Sequence, residues 1–96
     1  MAKGYWISCF RSLKDPEKLA AYAKLAAPVM QAANAKFLVR GMPAKVYEKG
    51  LEQRTVVIEF ESVQKAIEVH DSPGYQAALK ALGDGAVRDL RIVEGV

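Results

Sequence analysis

Four prolines divide this chain, and their placement limits its fold more than any other feature. A proline ring fixes φ and removes a backbone donor, so it suits the first turn of a helix and interrupts regular structure elsewhere. Pro16 lies between Asp15, a helix N-cap, and Glu17, an acid suited to the positive end of the helix dipole. Leu19, Tyr22, Ala23, Ala26, Val29 and Met30 then recur at spacings of three and four, marking one helical face. Pro28 sits inside this pattern and predicts a bend or loosened last turns. Ser72-Pro73 repeats the start signal for a helical piece through Tyr75, Ala78, Leu79 and Leu82, closed by Gly83-Asp84-Gly85. A helix capped by Ser62 and carrying Ala66, Ile67 and Val69 must therefore break near Asp71.

The remaining runs are strand-like. Tyr5–Phe10 is aromatic and apolar and too short for a helix of its own. Phe37–Arg40 is stopped by Gly41-Met42-Pro43, and Lys45–Glu48 is expected to resume it after a kink. Lys49-Gly50-Leu51-Glu52 reads as a hairpin turn into Arg54–Phe60, the clearest strand. Val87–Glu94 alternates less cleanly, but Leu90, Ile92 and Val93 predict a fourth strand. The order β-α-β-β-α-β is the ferredoxin-like α+β arrangement, with both helical layers on one face of a four-stranded antiparallel sheet. The other face must be polar or covered. Val56, Ile58 and Phe60 alternate with Val57 and Glu59, and Tyr5, Ile7 and Cys9 with Trp6, Ser8 and Phe10, so neither strand has a fully polar side. A second copy of the same sheet is the expected cover, making a homodimer.

Ninety-six residues, half of them hydrophobic (51%), make one domain over 1–96 with a real core. The net charge of +3 is mild and its basic residues are scattered, which argues against a nucleic-acid partner. No long apolar segment predicts a membrane span and no signal-peptide pattern opens the chain, so a cytoplasmic location is expected. Cys9 alone rules out an internal disulfide and reads as a buried structural thiol. One histidine and one cysteine give no metal-ligand set, and no phosphate-binding loop or nucleophile elbow occurs, so no metal and no cofactor are expected.

The sequence resembles the bacterial family grouped as domain of unknown function 1330, within the dimeric α+β barrel superfamily. The resemblance rests on Gly4-Tyr5-Trp6-Ile7, Phe37-Leu38-Val39-Arg40-Gly41, Val57-Ile58-Glu59-Phe60, Ser72-Pro73-Gly74-Tyr75-Gln76, Arg88-Asp89-Leu90 and Val93-Glu94-Gly95, in that order. It implies a dimer whose paired sheets form a barrel and implies no established reaction. Three positions depart from the family pattern: Asn34-Ala35 replaces a glycine pair, Glu61 a proline, and Leu82 an arginine late in the second helical layer.

Candidate chemistry centres on Arg40 and Glu59. Counting from a hairpin near Gly50-Leu51 brings them close across strands, subject to any bulge at Gly41-Met42-Pro43, with Arg40 holding an anionic group and Glu59 acting as base or acceptor. A structural salt bridge explains the same pair. His70 stands at the helix break as a candidate for catalytic proton transfer, or simply as a surface residue. Ser72 and Tyr75 beside it are candidate ligand-binding hydroxyls, or a plain cap and a packing aromatic. Two functions compete: a metal-free enzyme or binder for a small organic or anionic ligand, and a non-catalytic dimerisation or ligand-sensing module. An RNA-recognition domain would want aromatics and glycine in strand three, where Arg54–Phe60 offers mainly aliphatics and a carboxylate. An acylphosphatase would need a glycine-rich turn after strand one, where Ser12-Leu13-Lys14-Asp15 stands.

Overall fold

A computed structural model describes residues 2–96. The elements run β1 (Gly4–Leu13), α1 (Pro16–Ala32), β2 (Lys36–Gly41), β3 (Thr55–Phe60), α2 (Val63–Asp71), α3 (Pro73–Leu82) and β4 (Ala86–Glu94). All strand pairs are antiparallel, in the order β2-β3-β1-β4. This is the ferredoxin-like arrangement, with the second helical layer split in two.

The helix starts follow the predicted chemistry. The Asp15 carboxylate accepts from the backbone N–H of Glu17 (3.0 Å) and Lys18 (3.2 Å). Ser62 Oγ accepts from Lys65 N, and Ser72 closes α2 while opening α3. Pro28 does not end α1, which continues to Ala32. The carbonyl that the missing N–H leaves free belongs to Lys24, on the exposed side, where water can satisfy it. Asn34 then takes a left-handed φ of 56°. Asparagine tolerates that region better than most residues, so the turn forms without a glycine. Gly4 has a different constraint: a Cβ there would lie 2.5 Å from the Ser62 carbonyl oxygen, where α2 begins against β1.

One face of the sheet meets the helices. Trp6, Val56, Ile58 and Phe60 join Ala26, Met30, Ala66, Val69, Tyr75 and Ala78 in a continuous core. Trp6 stacks on Phe60 at 5.8 Å and meets the edge of Tyr75 at 5.0 Å. Burying such aromatics contributes on the order of 1.5–3 kcal/mol each. The outer face carries the opposite set of side chains. One row across all four strands reads Val39, Val57, Ile7 and Arg91, and the next Lys36, Glu59, Tyr5 and Val93. Val39 and Val93 are nearly half exposed in the single chain.

Three expectations need correction. Lys45–Glu48 does not resume β2: residues 42–54 form an irregular connection, because Pro43 lacks a donor and no strand lies beyond this edge. Its turn falls at Glu48-Lys49, closed by Gly50 N–H on the Tyr47 carbonyl (2.9 Å), two positions before the predicted hairpin. Cys9 is exposed on the outer face of the single chain, not buried, because its phase along β1 is that of Tyr5 and Ile7.

Candidate functional site

The register of β2 decides where the predicted site residues go. Phe37 lies opposite Ile58 and Val39 opposite Val57, so Leu38 is an extra, bulged residue. Beyond the bulge Arg40 pairs with Val56 and points to the helix side, where its guanidinium lies 4.8 Å from the Phe37 ring centre. Glu59 pairs with Lys36 and Tyr5 on the outer face and accepts a 3.0 Å hydrogen bond from Tyr5 Oη. The expected Arg40–Glu59 neighbourhood is therefore wrong: the two lie on opposite faces of the sheet. The acceptor carboxylate pushes the Tyr5 phenol pKa up.

His70 rests on Trp6 (5.6 Å) and Tyr75 (5.1 Å), with Nδ1 3.1 Å from the Asp71 carboxylate. Ser72 donates to the Val69 carbonyl (2.7 Å) and accepts from Tyr75 N, so its hydroxyl is occupied in capping. Tyr75 is fully buried. Of the five predicted residues, Arg40 alone lines the main cleft, and Tyr75 reaches it through its hydroxyl partners.

That cleft, roughly 520 Å³, lies between α1 and the inner face of the sheet. It exists because α1 packs along α3 and presents Ala23, Ala26 and Ala27 towards β2 and β3, side chains too short to fill the space. Val56, Ile58, Phe10 and the partly exposed Phe37 make the opposite side apolar. The polar lining is cationic: Arg40, Arg54 and Arg88 border the cleft and no Asp or Glu does. Arg54 and Arg88 flank Phe10, the first through a backbone hydrogen bond from Phe10 N, the second as its β4 register partner. Arg40 lies in the neighbouring row with Val56, Ser8 and Leu90.

Arg88 anchors the inner end. Its Nη1 donates to Tyr22 Oη and its Nη2 to Tyr75 Oη, both at 3.2 Å, while the two hydroxyls lie 2.8 Å apart. The guanidinium also sits over the Tyr22 ring at 4.8 Å. No carboxylate forms an ion pair with Arg88 among the described residues. Burial opposes its charge, but the two phenols outweigh this and its pKa is raised. Burial first, and then Tyr22, push the Tyr75 phenol well above its ordinary value, against the pull of Arg88. Beneath the floor, Ser8 is 1% exposed and its Oγ has no hydrogen-bond partner among the described residues.

Arg88, Tyr22 and Ser8 were not singled out in the sequence, although a signal existed for the first. Arg88 shares the period-two phase of Leu90 and Ile92, so an inward arginine is what made that strand alternate poorly. Tyr22 looks like any other member of a helical apolar face. No group of three or more His, Cys, Asp or Glu side chains converges among the described residues, and no helix among them is long and apolar enough to cross a membrane.

The family model described as "Domain of unknown function (DUF1330)" matches residues 3–96. No curated protein matches the chain in sequence. Among solved structures, the RPA0582 protein of unknown function from Rhodopseudomonas palustris aligns with a TM-score of 0.70 and 21% identity, over 97% of this chain and 80% of that one. SnoaB, a cofactor-independent oxygenase from Streptomyces nogalater, aligns at 0.65 and 12%, over 97% and 92%. A dimeric ferredoxin-like protein of unknown function from Thermobifida fusca aligns at 0.63 and 17%, over 97% and 91%. At these identities the likeness concerns the fold.

Proposed function

This chain belongs to the DUF1330 family, and from its cleft we propose that it is a homodimeric α+β barrel protein that binds a small organic anion between α1 and the sheet. The observation that carries this reading is Arg88. A part-buried cation whose side-chain hydrogen bonds, among the described residues, go to two phenols has lost solvation without gaining a counter-charge, an arrangement that favours a negative ligand group. Arg40 and Arg54 add to the same potential, and the alanine, valine, isoleucine and phenylalanine lining suits an apolar, ring-sized body.

Binding without turnover is the reading favoured by where the titratable groups lie. Glu59 is on the far face of the sheet and His70 is stacked behind Trp6 and Tyr75, so neither offers the cleft a general base. An enzyme remains the alternative class, in keeping with the fold it shares with SnoaB. The dimer is supported by the outer face, where Val39, Val57 and Ile7 form a contiguous apolar row, and by the Thermobifida protein, which is itself dimeric. In such a pair Glu59 and Tyr5 face the partner sheet, so we assign them to assembly and not to catalysis.

The test is thermal stabilisation by benzoate and related ring carboxylates. A raised melting temperature in the wild type, absent in Ala23→Phe, supports the cleft; Ala23 is an exposed lining residue, so the bulk is added without invading the core. An equal rise in both proteins, or none in the wild type, removes it.

A further inference from the structure

We propose that Tyr22 is the hydrogen-bond donor to the charged oxygen of the ligand, and that the cleft therefore selects ring compounds whose hydroxyl or enol it holds as the oxyanion. This rests on the cleft being the binding site and adds which atom reads the ligand and what class the ligand belongs to.

The argument follows the hydrogens. Tyr75 is 0% exposed, and its Oη has two neighbours: Arg88, which can only donate, and Tyr22 Oη at 2.8 Å. If Tyr22 donated to Tyr75, the Tyr75 hydrogen would be left buried without an acceptor, at a cost of about 1–3 kcal/mol. Tyr75 therefore donates to Tyr22. The Tyr22 oxygen then accepts twice, from Tyr75 and from the Arg88 cation, and its own hydrogen is free for the cleft that the residue lines. A hydroxyl that accepts a charge-assisted and a neutral hydrogen bond becomes a stronger donor, because each bond polarises the next. The raised pKa of Tyr75 agrees with its remaining a donor.

A donor of this kind, backed by a cation in a poorly solvated site, stabilises an oxygen carrying full negative charge more than a neutral one. Ser8 lies nearby: it pairs with Leu90 while Arg88 is two residues along the same face of β4. Its Oγ, unpartnered among the described residues, is buried beneath the cleft floor and adds a polar atom to the surroundings without touching the ligand. Holding the ligand as an oxyanion breaks its O–H bond, leaves the electron pair on oxygen and passes the proton to bulk water. Nothing is oxidised or reduced, and no base in the cleft is needed.

The experiment is an absorbance titration of 4-nitrophenol, whose ionised form is coloured, in equilibrium dialysis with the wild-type protein, using 4-nitroanisole as a control that cannot ionise. The bound phenol should show an acid constant raised at least tenfold over the free dye. Tyr22→Phe should bring it to within about twofold of the free value, and Tyr75→Phe should give an intermediate result, since it removes the donation to Tyr22 and keeps the ring. Binding without a raised acid constant overturns the donor assignment and leaves the cleft standing, as does a full effect in either variant. Failure of both compounds to bind while benzoate still stabilises the wild type overturns this inference and leaves the cleft standing; failure of benzoate as well overturns both. If Tyr22→Phe does not fold, Tyr75→Phe carries the test; full retention of the effect in it refutes the assignment.

Discussion

Removing the Ser8 hydroxyl should make this protein more stable. In the core-facing row of β1, Ser8 is 1% exposed and its Oγ meets neither a donor nor an acceptor. A hydroxyl taken out of water without a replacement bond costs about 1–3 kcal/mol. Ser8→Ala deletes that oxygen and leaves a void smaller than a methylene, whose cost is below about 1 kcal/mol. The net expectation is a gain of about 1–2 kcal/mol. Each kcal/mol shifts Tm by about 4–8 °C in a domain of this size, so the change is within easy reach of a thermal melt. Urea unfolding at one fixed protein concentration should give the same sign with an unchanged slope, the fixed concentration mattering because association stabilises the folded state. A loss of 1 kcal/mol or more would refute the reasoning, since it would mean that the hydroxyl is bonded in the folded protein.

Gly4→Ala should destabilise by about 1–3 kcal/mol in urea, because the new Cβ would lie 2.5 Å from the Ser62 carbonyl and the obstruction is backbone. Stability should fall above about pH 10, where the unfolded chain releases its tyrosine protons and folded Tyr75 keeps its own. Each such proton costs the folded state about 1.4 kcal/mol per pH unit until the folded pKa is reached, and Tyr75→Phe should make that limb shallower. Light scattering at micromolar concentration should give twice the chain mass for the wild type and a single chain for Val57→Lys, which puts a charge in the middle of the outer apolar row. A wild-type monomer would remove the sheet-pairing argument.

The elements were legible where local chemistry fixes them. Asp15-Pro16, Ser62 and Ser72-Pro73 carry capping signals whose geometry depends on a few neighbouring residues, and each starts a helix where the pattern places it. The alternation of Val56, Ile58 and Phe60 likewise fixed the inner face of β3. The pairing of Arg40 with Glu59 failed because register is a non-local property. One bulged residue, Leu38, turns Arg40 to the other face, and the irregular connection over 42–54 removes the tight turn from which the rungs were counted. The cleft was hidden for a related reason. It is defined by what Ala23, Ala26 and Ala27 do not fill, and a run of alanines on a helix reads as good packing until the opposing surface is known. The Tyr22–Tyr75–Arg88 cluster joins residues 53 and 66 positions apart, which no spacing rule reaches.

The most direct measurement of the site is an amide NMR titration of the labelled wild-type protein with benzoate. Saturable shifts should concentrate at Phe10, Tyr22, Val56 and Arg88, around the inner cleft, and leave Tyr5, Val57 and Val93 on the outer face unmoved. Shifts confined to that outer face, or a spectrum that does not change at millimolar benzoate, would contradict the assignment.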